Sequence, residues 1–230
     1  MEKVIELETR EPNNRTPLLE ARELSRRLSD DRLVFENVSL AIHSKDRWAI
    51  QGPTGSGKTL LLRCLALLDP ADSGQVLWNG QTIAKAEVPS FRHSNIYLHQ
   101  TPSLLEGDVG SNLEAPFAFQ QHHQSTYNEE RIVAWLTQLG FSTTFLKAES
   151  GNLSGGERQV VSLLRALQLS PTILLLDEAT VALDENTTLK VESLVNDWVG
   201  EEGTSRATVW VSHSEEQLKR VSDESMWLAK

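Results

Sequence analysis

A chain of 230 residues is long enough for one domain with a substantial core, and 39% apolar and 23% charged residues with 13 Gly and 8 Pro exclude collagen-like, low-complexity and wholly disordered chains. Lysine and arginine number 22 against 32 aspartates and glutamates, a net charge of −10 that argues against a general binder of nucleic-acid phosphates.

Residues 1–17 are polar, with Pro12, Asn13, Asn14 and Pro17 close together, and are expected to form a flexible tail; they look like neither a secretion signal nor a transit peptide. From Leu18 to about Ile50, the stretches LLEARELS, VFENVSLAI and RWAIQG alternate apolar with polar residues or form a short buried run, and read as strands. A helix is expected from Lys58 to about Leu68, closed by Asp69 and Pro70. Its apolar run is broken by Arg63 and falls far short of the roughly 20 residues that a bilayer span needs. Cys64, the single cysteine, lies inside this run and reads as a buried packing residue in a reducing, cytoplasmic compartment.

Gln75 to Trp78 reads as a strand that runs into an Asn79-Gly80 hairpin turn, and Ser94 to Leu98 as another strand. After Gln100 the pattern is helix and loop as far as about Leu169. The tract QQHHQ at 120–124 reads as a solvated helix end, because adjacent histidines on a helix do not converge on one metal ion. Beyond Pro171, the apolar run Ile173 to Leu176 reads as a buried strand ending in Asp177-Glu178, followed by a helix over roughly Thr187 to Val199. A last strand, Ala207 to Val211, ends in Ser212-His213. Strands that alternate with helices and finish at polar residues predict an α/β parallel sheet with its site at the strands' carboxyl ends.

Gly52-Pro53-Thr54-Gly55-Ser56-Gly57-Lys58-Thr59 matches G-x-x-x-x-G-K-[ST] directly after a strand and directly before a helix. Glycines let successive N–H groups close around phosphate oxygens, and the helix adds the positive end of its dipole. Lys58 would then reach the β- and γ-phosphates of ATP, and the Thr59 hydroxyl would ligate Mg²⁺. Taken alone, Asp177-Glu178 is a solvated strand end or a helix cap; with Lys58 upstream, Asp177 becomes a candidate Mg²⁺ holder and Glu178 the candidate that polarises the attacking water. Leu153-Ser154-Gly155-Gly156-Glu157-Arg158-Gln159 supplies a second Gly-rich helix start, although a Ser followed by Glu three residues later is also a capping box.

A phosphate loop combined with this LSGGERQ segment resembles the ATP-binding cassette family, from about Leu18 onward. The resemblance implies a P-loop NTPase with a RecA-like parallel-sheet core (about 18–100 and 169–230), an N-terminal antiparallel β part and an inserted helical subdomain (about 101–168). It implies two copies meeting head to tail, with Ser154, Gly155 and Gly156 of one against the ATP held by the other. Gln100 resembles the glutamine that contacts Mg²⁺ and the lytic water and passes movement to a membrane partner. Ala182-Leu183-Asp184 resembles the loop that crosses the dimer interface, with Val181 where Ser is usual, and His213 resembles the histidine that donates to the γ-phosphate. An integral membrane permease would dock near Gln100 and Thr101 to Asn112, placing the chain on the cytoplasmic face of the inner membrane.

Segments around Gln100, around Ser162 to Leu169 and around Val209 to Gln217 are similar to the stand-alone ATPases of bacterial iron exporters. A cassette ATPase acting on a soluble complex is the alternative reading. One departure stands out: where the family places an aromatic residue against adenine, this chain has Arg27, Leu28 and Ser29, so the Arg27 guanidinium or the Leu28 side chain is expected to cover the base.

Overall fold

The computed structural model describes residues 15–28, 31–119 and 126–229. Residues 1–14 of the expected tail, Ser29, and the QQHHQ tract lie outside the described residues.

The chain begins with β1 (Leu19–Arg27) and β2 (Leu33–Ile42), then β3 (Arg47–Gln51), which leads into α1 (Lys58–Leu65). Next come β4 (Ser73–Trp78), β5 (Gln81–Thr82), α2 (Val88–Ser94) and β6 (Asn95–Leu98). Three helices follow: α3 (Val109–Glu114), α4 (Glu129–Leu139) and α5 (Gly155–Leu167). The chain then alternates β7 (Ile173–Asp177), α6 (Glu185–Gly200), β8 (Ala207–Val211), α7 (Glu215–Val221) and β9 (Glu224–Trp227).

Among the described residues nine strands form two sheets. The antiparallel sheet has the order β2-β1-β4-β5, its last hairpin closed by Asn79-Gly80 with Trp78 opposite Gln81. The other sheet, β6-β7-β8-β3-β9, is parallel throughout. Parallel strands covered on both faces are apolar on both, and β7 shows it: Leu174 and Leu176 join one core cluster while Ile173 and Leu175 join the other. The first cluster packs that face against α3 to α6, and the second packs the opposite face against α1, β1 and β2. At roughly 1.5–3 kcal/mol per fully buried large apolar side chain, each of these β7 residues anchors a layer.

This strand order positions the functional residues. Neighbouring strands lie about 4.8 Å apart. The consecutive strands β6, β7, β8 and β3 therefore bring the ends bearing Gln100, Asp177-Glu178, His213 and Gly52–Lys58 to one edge of the sheet.

Several elements differ from the sequence reading. The helix expected to reach Leu68 stops at Leu65, because Leu67 takes a left-handed backbone (φ 54) and the Leu68 amide bonds back to the Arg63 carbonyl at 2.8 Å. That is a helix-closing bond with Leu where Gly is preferred, at a cost of roughly 1–2 kcal/mol. Arg63 paired with Asp69 at 2.6 Å holds the turn shut. The helix read as Thr187 to Val199 starts earlier, at Glu185, because the Asp184 side chain caps it. Helices α2 and α7 and strand β9 have no counterpart in the sequence reading. Cys64 is buried, as read, and burial pushes its thiol up to about 11.

Candidate functional site

The turn from β3 to α1 is a loop whose helix has no side-chain cap: Gly57 occupies the cap position in a left-handed conformation (φ 97). A Cβ there would meet Val34 at 2.3 Å, so both the dihedral and the space demand glycine. An uncapped first turn leaves its N–H groups for a ligand. Lys58 folds back across the loop and donates to the carbonyls of Gly52 (2.8 Å) and Pro53 (3.2 Å). Burial pushes its ammonium below the usual lysine range, while Glu178 and Asp177 oppose that shift. The Ser56 hydroxyl is buried in the same loop and makes no hydrogen bond among the described residues. A cradle of glycine backbone with a buried cation and an orphaned hydroxyl fits a polyanion.

Asp177 ends β7 at 2% exposure, with one carboxylate oxygen 3.1 Å from the Thr59 hydroxyl and the other accepting from the Tyr97 phenol at 2.8 Å. Burial first, and then this bond, pushes the Tyr97 phenol well above its usual range, so Tyr97 remains a donor. Thr59 and Asp177 offer adjacent hard oxygens, suited to a small cation that keeps most of its waters. No cluster of three His, Cys, Asp or Glu side chains able to hold a metal occurs among the described residues.

Glu178 takes φ 50, a conformation that non-glycine residues rarely hold without reason. Its N–H bonds to the Val211 carbonyl at 2.9 Å. One carboxylate oxygen accepts from Gln100 at 2.8 Å and the other lies 2.8 Å from His213 Nε2. Glu178 is the inner member of this trio, 14% exposed at the side chain against 55% for His213. A cavity of about 520 Å³ opens between Lys58, Thr59, Glu178 and His213 on one side and Leu28, Leu33 and Val34 on the other. That volume suits a small molecule. Leu28 lines it; Arg27 does not, and instead turns its guanidinium toward Asp31.

The second Gly-rich segment lies apart: Ser154, Gly155 and Gly156 are not walls of this cavity. Ser154 caps α5 in a capping box with Glu157, at 3.2 and 2.8 Å. Its glycine doublet has a further reason within the chain, since a Cβ on Gly156 would lie 2.7 Å from the Ala182 carbonyl. Asp184 caps α6 through Thr187. Of the residues singled out in the sequence, the structure thus gathers Thr54, Gly55, Gly57, Lys58, Thr59, Gln100, Asp177, Glu178 and His213, and leaves Ser154, Gly155, Gly156 and Asp184 outside the cavity's lining.

Three residues lie in segments singled out in the sequence, but their supporting roles were not legible there. Tyr97 bonds Asp177, Gln159 reaches the loops around Gln100 and Glu178, and Gln217 bonds both Thr180 (2.9 Å) and the buried Glu192 (3.0 Å). Glu192 is in turn paired with Arg220 through two bonds of 2.7 and 2.8 Å. The available signal was a polar residue inside an otherwise apolar helix face or strand.

A parallel sheet with a phosphate loop after β3 and paired acids after β7 is a P-loop nucleotide-binding fold. The sequence model of the ABC transporter family matches residues 35–181. The chain is 30% identical to the probable iron export ATP-binding protein FetA of Escherichia coli (strain K12), over 88% of this chain and 88% of that one. It is 35% identical to the cytochrome c biogenesis ATP-binding export protein CcmA of Hahella chejuensis (strain KCTC 2396), over 79% of this chain and 83% of that one. A solved dimeric ATP-binding cassette, in a post-hydrolysis state with ADP and phosphate bound, matches with a TM-score of 0.79 at 25% identity, over 91% of this chain and 94% of that one. The chain belongs to the ABC transporter family, as its ATP-binding, ATP-hydrolysing cassette. Among the described residues no helix is long and apolar enough to cross a membrane.

Proposed function

We propose that this chain is the ATP-hydrolysing subunit that powers a separately encoded membrane permease, and that it works as a head-to-tail pair. The observation that carries the reading is the Glu178 carboxylate held between Gln100 and His213, 2.8 Å from each, beside the phosphate loop. The phosphates of ATP take the place of the carbonyls that Lys58 now contacts, and the loop's N–H groups close on them. Mg²⁺ fits the Thr59 and Asp177 oxygens, and when bound it supplies positive charge against the β- and γ-phosphates. Tyr97 keeps Asp177 pointed at Thr59. Glu178 accepts a proton from the attacking water, Gln100 holds that carboxylate in place, and His213 donates to the γ-phosphate. The base rests against Leu28, an apolar wall that supplies contact without reading the base edge.

The dimeric solved relative supports pairing, in which Ser154, Gly155, Gly156 and Asp184 face the partner's ATP. The permease holds the chain on the cytoplasmic face of the membrane, with Leu105 exposed in the docking segment after Gln100. Iron export is the cargo reading supported by the likeness to the Escherichia coli protein named for it. The test is native isolation of the Glu178→Gln variant with ATP from gently solubilised membranes, followed by mass spectrometry. A polytopic protein in stoichiometric amount is expected; repeated recovery of soluble partners alone overturns the transport reading. Inside-out vesicles carrying the pair should then take up iron with ATP, and ATP turnover without iron uptake assigns another cargo.

A further inference from the structure

Gln159 sits in the second turn of α5 and is 3% exposed. Its side chain meets three main-chain groups from two separate stretches of chain, one at Gln100 and the other between β7 and α6. The Nε2 group donates to the carbonyls of Gln100 (2.9 Å) and Glu178 (3.2 Å), and Oε1 accepts from the Ala182 amide (3.0 Å). Carbonyls only accept and an amide N–H only donates, so one orientation of the carboxamide satisfies all three partners at once. A side chain used fully in this way is a built junction, not a polar residue tolerated in a core.

The partners are telling. Gln100 and Glu178 already meet through their side chains at 2.8 Å, and Gln159 joins the same two residues a second time through their backbones. Glu178 holds a left-handed backbone with its N–H tied to Val211, and Gln159 ties the carbonyl on the other side of that strained residue. The third bond, to Ala182, reaches the stretch that packs on Gly155 and Gly156 at the start of the same helix, where a Cβ on Gly156 has no room.

We infer that Gln159 is a positioning residue for hydrolysis: it holds Gln100 and Glu178 in register and fastens both to the N-terminal turns of α5. Movement of α5 therefore carries with it the carboxylate that takes the attacking water's proton. The inference rests on the reading of Glu178 as the group that handles the attacking water.

The test compares the full-length wild type with Gln159→Met, which keeps an unbranched chain of similar length without the polar head, and with Gln159→Glu, which keeps the acceptor for Ala182 and removes both donors. Steady-state ATP turnover, ADP affinity and thermal unfolding are measured for each, with Glu178→Gln as control. Gln159→Met is expected to lower kcat about 10- to 100-fold, the scale for misplacing a reacting group by about 1 Å, with KM and ADP affinity within about twofold because the phosphate loop is untouched. If Gln159→Met does not fold, Gln159→Glu reads the same split. A lower unfolding temperature with unchanged kcat per folded molecule overturns the inference and leaves Gln159 a packing residue. Should Glu178→Gln turn over ATP at the wild-type rate, the reading of Glu178 falls and takes this inference with it; a dead Glu178→Gln beside a fully active Gln159→Met overturns the inference alone.

Discussion

Two helix starts in this molecule share a glycine-rich lead-in and have opposite solutions to the same problem. α1 begins on Gly57 with no side-chain cap, and Gly55 just ahead of it has open space where a Cβ would sit. α5 begins on Ser154, whose hydroxyl and Glu157 partner satisfy two amides locally, and its Gly156 is filled from the side by Ala182. The first is an open cradle that needs a ligand to complete it. The second is already half complete, and its glycines serve the approach of another stretch of the same chain. Glycine ahead of a helix thus marks closeness of backbone, and only the cap tells whether the thing brought close is an anion or the protein itself.

The largest expected break of this contrast is at α1. Lys58→Ala removes the cation folded across the cradle, and charge-assisted bonds of roughly 1.5–3 kcal/mol predict ATP binding weaker by about 10- to 100-fold in calorimetry, with α5 and the fold intact. Unchanged affinity would sever Lys58 from the phosphates. The next is at α5, where Gly156→Ala drives a methyl against the Ala182 carbonyl. Overpacking of this kind costs roughly 1–3 kcal/mol, read by urea unfolding, and it should lower turnover while the isolated chain binds ATP as before. Equal loss of affinity and stability in both variants would mean that the two helix starts are not separate devices.

The difference in their legibility has the same origin. The phosphate loop, its lysine and the Asp177-Glu178 strand end were readable because each is a contiguous run whose backbone dictates what the side chains do. The contacts of Tyr97 and Gln159 were not, although Gln159 closes the LSGGERQ run, because Asp177 and Gln100 lie 80 and 59 residues away in sequence and become neighbours only through the order of β6, β7 and β8. Helix ends failed for a related reason: the stop at Leu65 depends on a Leu adopting a conformation that its type disfavours, held by Arg63 and Asp69. The short elements α2, α7 and β9 run to seven residues at most and carry too few apolar positions to show a period.

The smallest effects separate cap from contact at Ser154. Ser154→Ala removes the acceptor for the Glu157 amide and should cost about 1 kcal/mol, a fall of roughly 2–4 °C in the unfolding midpoint for a chain of this size. Ser154→Asp keeps a good cap and adds favourable charge at the helix start, so the midpoint should hold at or near the wild-type value. The same carboxylate would stand where the partner's phosphate is proposed to lie, and like charges there oppose pairing. In a Glu178→Gln background with ATP, sedimentation should find Ser154→Ala largely dimeric and Ser154→Asp monomeric. If Ser154→Asp dimerises as well as the parent, the start of α5 is a closed cap only, and the contrast with α1 becomes complete: one helix start for the nucleotide, the other for the protein's own chain.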